Sequence, residues 1–119
     1  ESFLIEETLK KEMKIPLMHD DQHGTAIIST AGLLNALELA NKKIDEIKVI
    51  VNGAGAAGIS CVKLWISVGV KKENIYMFDR EGQVSDCRED LDPWKELFKT
   101  PKKFNSLAEA MHDADVFLG

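Results

Sequence analysis

From Lys48 to Asp79 the apolar and polar positions spell a strand, a helix and a second strand. Val49-Ile50-Val51 is a β-branched run of the kind that fills a strand buried on both faces. Gly53-Ala54-Gly55-Ala56-Ala57-Gly58 follows, and a helical pattern then extends to about Val68. Polar Ser60, Lys63 and Ser67 keep to one narrow stripe of that helix, so most of it is expected to be covered. After Gly69, a second apolar run, Ile75-Tyr76-Met77-Phe78, ends at Asp79. The pattern predicts a βαβ unit.

On either side the periodicity is mainly helical. Ser2–Lys14 places Ile5, Leu9 and Met13 at four-residue intervals, with Glu6–Lys10 and Glu7–Lys11 pairs on the outer face. That predicts an amphipathic helix with Ser2 as N-cap, stopped by Pro16. Ile15–Met18 reads as extended. Ala26 to about Asn41 is apolar almost all round, with small Ala31, Gly32 and Ala36, and is expected to lie in an interior. Lys42–Glu46 reads as a charged connector, and Arg80–Glu89 as a surface loop. Asp92-Pro93 should open a short helix whose apolar face is Trp94, Leu97 and Phe98. Ser106-Leu107-Ala108-Glu109 fits a capping box for a helix to about His112, and Val116-Phe117-Leu118 a short buried strand.

Composition narrows the class. A chain of 119 residues, 45% apolar and 29% charged, has room for one soluble domain with a sizeable core. A formal charge of −5, with basic residues scattered as Lys42-Lys43 and Lys71-Lys72, argues against a nucleic-acid surface. Ala26–Ala40 is too short for a membrane span and contains Asn35 and Glu38, and no signal peptide is visible, so a cytoplasmic protein with no membrane partner is expected. Cys61 and Cys87 lack ligand spacing, and Cys61 is expected to be a small core residue in a reducing compartment.

The pattern places the chain in the α/β class, as a Rossmann-like, doubly wound parallel sheet that is incomplete. Residues 1–46 read as a helical lead-in carrying an acidic segment, and residues 47–119 as the βαβ dinucleotide-binding core. A dinucleotide fold has two mononucleotide-binding halves and one is fully present, so the chain is expected to be a piece of a longer protein.

Each glycine of the loop has its own physical task. Gly53 permits the tight turn out of the strand, Gly55 lets a pyrophosphate approach the backbone, and Gly58 lets the helix pack closely on the sheet. The opening N–H groups of the helix favour an anion. Asp79 lies 21 residues beyond Gly58, where a carboxylate can hydrogen-bond an adenosine ribose. These features predict cofactor contacts at Gly53, Ala54, Gly55, Ala56, Ala57 and Gly58, and at Asp79. Asp79 favours the free 2′-hydroxyl of NAD, whereas neighbouring Arg80 could pair with the 2′-phosphate of NADP. NAD is favoured slightly, because Asp79 is held by its strand.

The second constellation is His19-Asp20-Asp21-Gln22-His23-Gly24-Thr25. Two adjacent carboxylates are hard-oxygen donors suited to Mg²⁺ or Mn²⁺, though too few for a complete site. Thr25 and the N–H groups opening the next helix add an anion-friendly end. A solvated turn with Asp20 or Asp21 capping that helix fits the same spacing. A zinc-protease reading of the two histidines fails, since the acid is aspartate and Pro16 and Gly24 interrupt a continuous helix.

Ile15-Pro16-Leu17-Met18-His19-Asp20-Asp21-Gln22-His23-Gly24-Thr25-Ala26, with the glycine loop about thirty residues later, resembles the NAD(P)-binding domain of malic enzymes of the smaller, prokaryotic type. The resemblance runs through essentially the whole chain. It implies oxidative decarboxylation of L-malate to pyruvate and CO₂, with NAD or NADP and Mg²⁺ or Mn²⁺. It also implies that Asp21 is a metal ligand and Asp20 its supporting neighbour near the catalytic centre. A Glu-Asp pair completing the metal site would fall just before Glu1, and the catalytic tyrosine and lysine in a preceding domain. The chain alone is therefore expected to be inactive, and the full-length protein to be a homodimer or larger homo-oligomer. Alanine is common in the family at the last loop position, where this chain has Gly58. Another Rossmann dehydrogenase, of the amino-acid or methylene-folate type, would not explain the acidic pair. A dinucleotide-binding module without catalysis would bind NADH without malate-dependent reduction.

Overall fold

The computed structural model describes residues 2–119. Along the chain come α1 (Ser2–Glu12), α2 (Asp20–Ala40), β1 (Val49–Asn52), α3 (Ala56–Ser67), β2 (Ile75–Asp79), β3 (Gly82–Gln83), α4 (Pro93–Glu96), α5 (Leu107–Met111) and β4 (Val116–Leu118). A single 3₁₀ turn, Lys72–Asn74, leads into β2. The four strands form one sheet in the order β3-β2-β1-β4. β1 lies at the centre, parallel to β2 with Val51 opposite Met77, and parallel to β4 with Val51 opposite Leu118.

The two-residue period of a strand divides the core between the faces of the sheet. Val49, Val51, Ile75 and Met77 point to the side covered by α2 and α3, where Ile59, Val62 and Trp65 complete the main cluster. Ile50, Tyr76 and Phe78 point to the other side, against Phe104 and Ala110. Coverage of both faces is what the β-branched run predicts. Fully burying each of these side chains is worth about 1.5–3 kcal/mol, so β1 and β2 together anchor the sheet.

The βαβ unit and the Asp92-Pro93 start fall where the pattern places them, and so does the last strand, though it is half-buried with Phe117 exposed rather than buried. Asp92 accepts from the Trp94 and Lys95 N–H groups. At α5 the capping box is shifted by one residue. Ser106 Oγ accepts from the Glu109 N–H, while the Glu109 carboxylate reaches the Asn105 N–H.

Four expectations are corrected. The acidic segment lies inside the helix and not ahead of it: α2 opens at Asp20, six residues earlier than Ala26, so Asp20 and Asp21 form its first turn. Acids are stabilised there by the free N–H groups and the dipole, a preference that competes with the turn signal of Gly24. α1 is rotated about its axis from the expected orientation. Ile5 is 57% exposed, and the residue buried is Glu6. α2 buries Gln22, Ala26, Thr30, Leu33 and Leu37 along the side that meets α3, and leaves Ile27, Ile28, Leu34 and Leu39 exposed. The Arg80–Glu89 segment is not all surface loop. It contains β3, antiparallel to β2, which makes the sheet mixed rather than wholly parallel. Val84 and Ser85 beyond it are buried. Gly82, at φ 109°, closes the tight turn between β2 and β3, and the Glu81 N–H donates to Asp79 Oδ1 across it.

Candidate coenzyme and metal site

The central strand ends at Asn52, and the chain turns at once through Gly53, whose φ of 136° favours glycine. The Gly53 N–H donates to the Phe78 carbonyl at 2.9 Å, which ties the loop to β2. Gly55 stands at the N-cap of α3, and no side chain caps the helix. The opening N–H groups at Ala56, Ala57 and Gly58 therefore remain available to an anion. A Cβ built on Gly55 meets no protein atom within 4 Å, whereas one built on Gly58 would overlap the Gly53 carbonyl oxygen. One glycine faces open space and the other faces the loop's own backbone. That arrangement suits a dinucleotide pyrophosphate.

Beside the loop, Asn52, Gly53, Ala54, Gly55, Asp79, Arg80, Glu81, Arg88, Asp90 and Lys95 line a cleft of about 640 Å³. Asp79 ends β2 at its rim, as expected, but it is not a free carboxylate. Arg88 Nη1 donates to its Oδ1 at 2.6 Å and Lys95 Nζ to its Oδ2 at 2.7 Å. Arg88 also grips Asp90 through Nε and Nη2. Burial pushes the Asp79 carboxyl up, but hydrogen bonds from Arg88, Lys95 and the Glu81 N–H outweigh it and hold it at about 2. The same carboxylates push the Arg88 guanidinium further above its already high range. Arg80 is exposed at the mouth of the cleft.

Arg88 and Lys95 escaped the sequence reading. They lie 9 and 16 residues beyond Asp79, in a stretch whose only legible signal was the Asp92-Pro93 cap. That cap is what sets the first turn of α4, and with it Lys95, in place.

The acidic segment has different surroundings. Asp20 and Asp21 are both exposed. The Asp20 side chain folds back over Gly24, occupying the space a Cβ there would need. Asp21 makes no hydrogen bond or ion pair among the described residues, so its carboxylate is open to a hard cation. Among those residues no group of three or more His, Cys, Asp or Glu side chains comes together for a metal. Among the described residues this segment therefore offers exposed hard-oxygen donors rather than a full coordination sphere. Thr25 is exposed in the second turn of α2, not at the helix opening, and lines neither this cleft nor its rim. Its hydroxyl thus loses the neighbouring N–H groups that made it a candidate. In the same turn as Asp21, Gln22 is buried, with neither amide atom partnered among the described residues. His23 Nε2 lies 2.7 Å from the Glu6 carboxylate of α1.

No helix among the described residues is long and apolar enough to cross a membrane. The family model for the NAD-binding domain of malic enzyme matches residues 22–116. An NAD-dependent malic enzyme of Rhizobium meliloti (strain 1021) is 48% identical over 100% of this chain, which spans 16% of that relative. The NADP-dependent malic enzyme of Halomonas elongata is 45% identical over 100% of the chain and 28% of its own length. The crystal structure of Entamoeba histolytica malic enzyme superposes with a TM-score of 0.93 at 39% identity, over 98% of this chain and 26% of that one. The chain thus spans less than a third of each of these proteins. With the glycine loop inside the family match and the whole chain inside the alignment to the Halomonas enzyme, the chain belongs to the malic enzyme family and is similar to part of its NAD-binding domain.

Proposed function

We propose that the full-length protein carrying this chain oxidises L-malate with NAD and releases the products pyruvate and CO₂. The observation that carries this reading is one chain joining an uncapped α3 N-terminus, fronted by an open Gly55, to an unpaired Asp21 carboxylate at the start of α2. The loop Gly53–Gly58 binds the coenzyme pyrophosphate, and Asp79 orients the adenosine ribose. Asp21 supplies one oxygen to a divalent cation, with Asp20 beside it. The remaining metal ligands and the proton-transfer groups come from other parts of the protein. When bound, Mg²⁺ or Mn²⁺ supplies Lewis-acid polarisation of the oxygen on C2, and the nicotinamide accepts the hydride.

NAD is the coenzyme of this reading because both cations that reach Asp79 are already held by it. A 2′-phosphate would have to draw Arg88 or Lys95 away from a carboxylate that each approaches within 2.7 Å. An NAD ribose needs only a further hydrogen bond to an oxygen with lone pairs to spare. The relatives do not decide the matter, since the Rhizobium and Halomonas enzymes carry different coenzyme names. The test is malate-dependent NADH formation by the full-length protein, abolished by chelation and restored by Mn²⁺. NADH formation that survives chelation would overturn the metal's place in it.

A further inference from the structure

Glu6 is a carboxylate buried where the periodicity of α1 places a solvent-facing side chain. It is 6% exposed, while Leu4 and Ile5 beside it are 67% and 57% exposed. Burying a carboxylate is costly unless it is paired and hydrogen-bonded. Glu6 Oε1 accepts from His23 Nε2 at 2.7 Å and lies 2.6 Å from Lys10 Nζ. Lys10 belongs to the same helix, one turn on, but His23 belongs to α2 and stands two residues after Asp21. The bond therefore fastens α1 to the turn of α2 that presents Asp21. That turn has no side-chain cap at His19 to fix it locally.

We propose that Glu6 is a positioning residue for the divalent metal, acting through His23 to fix the turn from which Asp21 reaches the cation. The inference rests on the reading of Asp21 as a metal ligand. The Glu6–His23 bond then fixes where the Asp21 turn stands relative to α1. Misplacement of a ligand by an ångström weakens a rigid site far more than it weakens the fold around it.

The test uses the full-length enzyme and reads Mn²⁺ binding directly, by electron paramagnetic resonance titration, beside NADH binding by fluorescence. Glu6→Ala is expected to weaken Mn²⁺ binding at least fivefold while the NADH dissociation constant stays within twofold. Glu6→Gln should recover most of the loss, because its amide oxygen still accepts from the His23 ring. Should Glu6→Ala fail to fold, His23→Ala removes the same bond from the other side and should show the same split. In the double variant the two losses should not add. Asp21→Asn serves as the control: if it leaves Mn²⁺ affinity unchanged, the ligand reading itself has failed. If Asp21→Asn weakens the metal but Glu6→Ala and His23→Ala do not, the positioning role is overturned. A parallel loss of NADH affinity, or no rescue by glutamine, overturns it as well.

Discussion

Arg88 donates to Asp79 from nine residues further along the chain, Nη1 to Oδ1 at 2.6 Å, and turns the coenzyme-side carboxylate into the centre of a cation cluster. Lys95 completes it from the other oxygen. With Asp79 at the ribose, as proposed, coenzyme choice is then a question of what holds two cations, more than of which residue follows Asp79.

Removing the carboxylate should release both cations to a 2′-phosphate. Asp79→Ala is expected to move the ratio of kcat/KM values toward NADP by about tenfold or more, about 1.4 kcal/mol in relative transition-state binding. Arg80→Ala should leave NAD kinetics within about twofold, since Arg80 is exposed and makes no ion pair among the described residues. A wild-type enzyme that already prefers NADP tenfold would contradict this assignment.

The same cluster predicts an acid dependence. The folded-state pKa of Asp79, about 2, lies below its ordinary 3.8, so its contribution is fully present above pH 4 and fades as pH falls toward 2. The shift corresponds to about 2 kcal/mol for a side chain only 10% exposed. The difference in thermal unfolding midpoint between the wild type and Asp79→Asn should accordingly be larger at pH 6 than at pH 3. A difference independent of pH would assign the stabilisation elsewhere.

Gly55 and Gly58 should fail in different ways. Gly55→Ala adds a methyl into open space and should leave the unfolding midpoint nearly unchanged, yet weaken NADH binding by tenfold or more if the pyrophosphate sits there. Gly58→Ala must push the Gly53 carbonyl aside and should cost about 1–3 kcal/mol of stability as an overpacking change. Equal loss of stability in both variants would contradict the division of roles.

How much of this was legible beforehand depended on whether a residue's partners were close in sequence. The βαβ unit, the glycine loop and the Asp92 cap were readable because each is a local pattern with its own period or turn chemistry. The burial of Glu6 was not, because periodicity locates a helix's apolar stripe but not the face its neighbours cover. Ile5 and Leu9 kept helical spacing and still faced outward or halfway. β3 was hidden by brevity: two residues paired through Gly82 and Gln83 carry no alternation to detect. Gln83 in turn holds Phe104 by accepting from its N–H, a contact spanning 21 residues that no local signal announces.

For the metal, Asp21→Asn in the full-length protein should weaken Mn²⁺ binding by tenfold or more and lower malate turnover, with binary NAD(P) binding changed little. The charge is what the cation requires and what the pyrophosphate does not. Unchanged Mn²⁺ dependence would return Asp21 to a helix-terminus role.

The most direct measurement follows carbon. L-malate labelled at C4 is supplied with NAD and Mn²⁺ to the full-length protein, and labelled CO₂ is counted against NADH. Oxidation at C2 followed by loss of the β-carboxylate predicts one labelled CO₂ and one unlabelled pyruvate for each NADH formed. NADH produced while the label stays in oxaloacetate, or no malate-dependent NADH at all, would contradict the account.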